Sequence, residues 1–119
     1  MTEYTTHMDI KFQDLERFDL KAMVDACTDQ WYNQTLLEVN DSWVRLGVLR
    51  GEYHWHEHKE DEFFLVLDGK LLIDLPESTV ELGPWQGITV PKGTQHRPRA
   101  PHRTVVVMLE SAGVVPTGD

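Results

Sequence analysis

Two apolar runs, Phe63-Phe64-Leu65-Val66-Leu67 and Leu71-Leu72-Ile73-Asp74-Leu75, are separated by little more than Asp68-Gly69. Each run has the length of a strand and is too short for an ordinary helix. Asp-Gly readily adopts the positive φ angles of a tight two-residue turn, so the local pattern predicts a β-hairpin. A second hairpin is expected where Leu36-Leu37-Glu38-Val39 meets Trp43 to Leu49 through Asn40-Asp41-Ser42. Thr79 to Leu82, Ile88-Thr89-Val90 before Pro91, and the valine run from Thr104 to Glu110 extend the series. Only Leu15, Phe18 and Met23 suggest a helical stripe, begun near Asp14. Short strands punctuated by turns imply an all-β barrel or sandwich with a short helical or irregular N-terminal segment.

The 119 residues suit one domain around one core. The expected division is a segment at 1–34 that packs on the barrel, a barrel at 35–113 and a tail at 114–119. Twenty acidic against eleven basic residues leave a net charge of −9, which repels phosphate backbones and anionic lipid, so neither nucleic acid nor membrane is an expected partner. The start carries no secretory pattern and no apolar run nears the ~20 residues of a membrane span, so a cytoplasmic address is expected. Cys27 stands alone and is given no role. Trp31, Trp43, Phe63 and Leu65 offer more apolar surface than a small barrel interior can hide, which predicts a homodimer.

Three of the six histidines fall within His54-Trp55-His56-Glu57-His58. A strand would turn all three to one face, but at ~3.3 Å per residue the outer two stand ~13 Å apart. Imidazole nitrogens bind at ~2.1 Å from a shared ion, so one ion takes two neighbours of the three. Glu62 shares a face with Phe64 and Val66, and a carboxylate heading an apolar face needs compensation that a cation can supply, unless it stays in water at the sheet rim.

With these residues the sequence resembles the cupin superfamily. Gly51, His56, His58, Glu62 and Gly69 match its first motif, with four residues between Gly51 and His56 in place of the usual five. Pro91, Gly93 and His96 match its second, although Trp85-Gln86 replaces a Gly-Asp and Ala100 stands where Asn is frequent. The chain is particularly similar to small stand-alone bacterial cupins loosely called mannose-6-phosphate isomerase-like. The resemblance spans roughly residues 35 to 110 and implies a single-domain cupin β-barrel of jelly-roll type. It also implies one divalent metal ion (Mn, Fe, Ni or Zn) on His56, His58, Glu62 and His96.

His54 is then left one step along the same face as a candidate acid or base for catalysis. Arg97 and Arg99 follow His96 and can bind an anionic substrate through guanidinium forks, while Phe64 and Trp55 can line a pocket. A three-histidine, one-carboxylate ion keeps open positions, so the leading expectation is a metalloenzyme of isomerase, lyase or oxygenase type acting on a small polar or anionic molecule. The alternative expectation is a non-catalytic sugar- or acid-binding or sensing module at the same metal site.

Overall fold

One long strand organises the molecule. The computed structural model describes residues 3–118, and its elements are β1 (Tyr4–His7), α1 (Leu20–Ala26), β2 (Trp31–Val39), β3 (Ser42–Glu52), β4 (Glu62–Asp68), β5 (Leu71–Asp74), β6 (Thr79–Leu82), β7 (Gly87–Val90) and β8 (Arg97–Ser111). β8 pairs antiparallel with β3 on one side, and on its other side first with β5 and then with β4. The path runs β1-β2-β3-β8-β4-β7, with β5 carrying β6. The result is an all-β barrel.

The expected hairpin at Asp68-Gly69 is not a hairpin, because β4 and β5 pair with successive parts of β8 rather than with each other. Asp68-Gly69 is a corner. Gly69 has φ +89, and a Cβ there would lie 2.6 Å from Thr104 Oγ1 and 2.7 Å from the Arg103 carbonyl. Thr104 Oγ1 accepts from Lys70 N at 3.1 Å, which ties the corner to β8. The second expected hairpin is present as β2 and β3, turned at Asn40 with φ 52.

The helix begins later than the apolar spacing suggests. Asp19 caps it by accepting from Ala22 N, whereas Leu15 has positive φ and lies fully exposed outside it. Phe18 and Met23 still pack with Leu36, Leu46, Val48 and Val105 on the outer face of the sheet. The sheet draws on residues either side of position 35, since Tyr4–His7 pairs parallel with the start of β2. Trp31, expected as exposed surface, is instead 3% exposed in the inner core with Leu49, Phe64, Val66 and Met108. Its register opposite Leu49 turns it inward. Phe63 and Leu65 are half-buried on the other face of β4. Among the described residues no helix is long and apolar enough to cross a membrane.

Candidate metal centre

The segment after β3 leaves the regular ladder, and it returns at one point. His56 and His96 exchange both backbone hydrogen bonds, at 3.0 and 2.9 Å, which sets the two histidine-bearing segments side by side. Gly93 N donates to the His58 carbonyl at 2.9 Å, fastening the Pro91-Lys92-Gly93 turn beneath His58. Glu62 opens β4 on its inward face, in register with Glu110 of β8.

One ligand atom from each of His56, His58, Glu62 and His96 lies within 4.8 Å of every other, and all four residues are buried. Glu62 Oε1 stands 3.3 Å from His96 Nε2 and 3.5 Å from His58 Nε2. Atoms that each bind one ion at about 2.1 Å lie about 3.0 to 3.4 Å apart, so the group is already close to ligating geometry. His56 Nδ1 donates to the His54 carbonyl at 2.9 Å, and His96 Nδ1 donates to the Thr94 carbonyl at 2.8 Å. That arrangement holds each ring in the tautomer whose Nε2 lone pair can face a cation. The donor set therefore fits a divalent metal ion.

The electrostatics agree with the donor set. Burial pushes His56 down to about 4, keeping its imidazole neutral. Burial alone would raise Glu62, but its contacts with His58, His96 and Glu110 outweigh burial and hold the carboxyl well below its usual range. Glu110 moves the other way, pushed up to about 8 by burial and then by the Glu62 charge. Arg45, 1% exposed, donates from Nη1 to Glu110 Oε1 at 3.1 Å, a buried contact that becomes an ion pair as Glu110 ionises.

A cavity of about 30 Å³ opens beside the group, lined by His56 and Glu62, by Trp31, Asn33, Tyr53, Phe64 and Glu110, and on its outer side by Pro116. Trp31 and Tyr53 stack with centroids 5.4 Å apart and form one wall. The tail crosses the mouth. Val114 is buried, Thr117 offers its carbonyl to His54 Nε2 at 3.1 Å, and Gly118 sits against His56 and Glu57.

The sequence-derived candidates thus separate. His54 is exposed, stacked on Tyr53 at 4.1 Å and engaged with the tail rather than grouped with the four ligand atoms. Phe64 is buried and lines the cavity. Arg97 and Arg99 alternate along β8 with buried Pro98 and Ala100, and both bind Asp74, at 2.8 and 2.7 Å. Arg97 also lies over the exposed Trp55 ring at 5.5 Å. Arg45, Asn33 and Glu110 were not singled out from sequence. The available signal was a charge interrupting an apolar strand at Arg45, and one ending the valine run at Glu110.

The cupin-domain family model matches residues 42–111. The uncharacterized protein YdbB of Bacillus subtilis (strain 168) is 43% identical over 94 residues, covering 77% of this chain and 83% of that protein. The crystal structure of a cupin-2 domain containing protein from Shewanella frigidimarina superposes with a TM-score of 0.75 at 27% identity, over 79% of this chain and 93% of that one. Protein NMB1881 from Neisseria meningitidis gives 0.72 at 25% identity, over 81% and 99%.

Proposed function

The chain is a member of the cupin family, and on that premise we propose that it is a metalloprotein holding one divalent ion, Mn, Fe, Ni or Zn, on His56, His58, Glu62 and His96. Its work is on a small polar or anionic organic molecule, by isomerase, lyase or oxygenase chemistry. The observation that carries this reading is the convergence of three buried imidazoles and one buried carboxylate to near-ligating distances, with two of the rings already oriented by backbone carbonyls. When bound, such an ion supplies Lewis acidity at the coordination positions the protein leaves open. The chain supplies orientation of the ligand rings, exclusion of bulk water by the tail and by the Trp31–Tyr53 wall, and a charged pair, Arg45 and Glu110, behind the cavity.

A second reading, a binding or sensing module without turnover, is favoured by one observation. His54, the expected acid or base, spends Nε2 on the Thr117 carbonyl. Outside the ligand set, Glu110 and Tyr53 are the titratable side chains that line the cavity. Metal analysis of untagged protein tests the common premise: about one divalent ion per chain is expected, and substituting His56 or His96 by Ala removes it at neutral pH, while His54→Ala retains it. Retention of metal by both of the first two variants would overturn the ligand set.

A further inference from the structure

Polar atoms without protein partners gather on the inner wall of the cavity beside the proposed ion. Glu110 is 3% exposed, and among the described residues no N–H or O–H donor reaches its Oε2. Asn33 Oδ1 is likewise buried without a donor, and Asn33 and Glu110 line the same cavity as His56 and Glu62. The rest of the lining is Tyr53, which carries a hydroxyl, and the largely apolar Trp31, Leu49, Phe64, Pro98, Met108 and Pro116. A buried polar atom left without a partner costs about 1–3 kcal/mol, so a site of this composition calls for a polar group on a carbon frame.

We propose that this cavity is a subsite for the hydroxyl-bearing arm of a small hydroxy acid, with Glu110 and Asn33 as its two polar anchors. The proposal rests on the metal reading above. A hydroxyl is the group that suits both anchors in every state they can adopt, since it donates and accepts. Either orientation of the Asn33 amide, and either protonation state of Glu110, leaves it a partner. The acid end follows from charge. A divalent ion and Arg45 together exceed the charge of Glu62 and Glu110 even when both carboxyls are ionised, so the interior favours an anion at the metal. The volume, about 30 Å³, suits one short arm rather than a large group.

The test compares 3-hydroxypropanoate with propanoate, two anions of equal charge that differ by one hydroxyl, titrated into Co(II)-loaded full-length protein and read by visible absorption. The expected result is at least about tenfold tighter binding of the hydroxylated acid. Asn33→Ala and Glu110→Ala, which remove the polar anchor altogether, should each reduce that preference to about twofold or less with cobalt content unchanged. Asn33→Ala is the second arm because Asn33 touches no proposed ligand, so the question survives a folding defect at Glu110. A wild-type preference near one, or a preference that both variants keep, overturns the subsite and leaves a water-filled structural pocket. If the protein takes up no cobalt, the metal reading fails and the subsite falls with it.

Discussion

Arg45 sits 1% exposed in the barrel interior, and its Nε and Nη2 have no hydrogen-bond partner among the described residues while Nη1 holds Glu110. A buried ion pair loses heavily when one member is removed, because the other charge is stranded. Arg45→Met should therefore destabilise the fold by about 3 kcal/mol or more in chemical denaturation above pH 8, where Glu110 is ionised, and by less at pH 7, where Glu110 keeps its proton. Glu110 gives a pH signature. Its folded value of about 8 against an ordinary 4.5 means the folded state binds the extra proton, so its contribution is complete below 4.5 and is lost as pH rises through 8. His56, lowered to about 4 from 6.5, contributes stability above 6.5 that is lost as pH falls toward 4. Between pH 6.5 and 8 the slope of these two is thus Glu110's alone. Metal-free protein should lose up to about 1.4 kcal/mol per pH unit there, and melting curves of Glu110→Gln should be nearly flat over the same range. Neither Arg45 nor Glu110 was found from sequence, because an isolated charge in a strand says nothing of which distant charge it will meet, and these two are 65 positions apart.

At the scale of elements, the two apparent hairpins show what local patterns carry. Asn40-Asp41 joins strands that do pair, so turn chemistry and pairing coincide. Asp68-Gly69 has equally good turn chemistry, yet the partner of both flanking strands is β8, some thirty residues further on. Turn residues specify a change of direction, and the partner is chosen by burial across the whole barrel. The same limit applies to the helix, whose apolar stripe was visible but whose start is set by the Asp19 cap. The corner predicts a cost. Gly69→Ala must place a side chain at φ +89 and against Thr104, and a loss of about 2–4 kcal/mol is expected in urea unfolding. Gly113, also at positive φ but with nothing near its Cβ position, should suffer only the backbone strain, about 1–2 kcal/mol.

For the whole molecule, two motifs some thirty-five residues apart were legible as one centre only through the family resemblance, and the His56–His96 backbone pair is the physical junction that spacing alone could not reveal. An ion bound there stabilises the folded state alone. Melting temperature with added Mn or Zn should exceed the chelated value at pH 7.5, and the gap should shrink as pH falls toward 4, where a proton competes for His56. A gap that stays constant across that range would remove the three-histidine centre. The tail adds a question of rate. How tightly an ion is held depends on its four donors, but how fast it escapes depends on how often the strand of backbone around Thr117 lifts from His54. That end of the chain is held by one hydrogen bond to an exposed ring and by Gly118 against His56 and Glu57, so opening should be frequent compared with unfolding of the barrel. Stripping by excess EDTA should then proceed at a rate independent of chelator concentration, and His54→Ala should accelerate it several-fold with the equilibrium affinity unchanged.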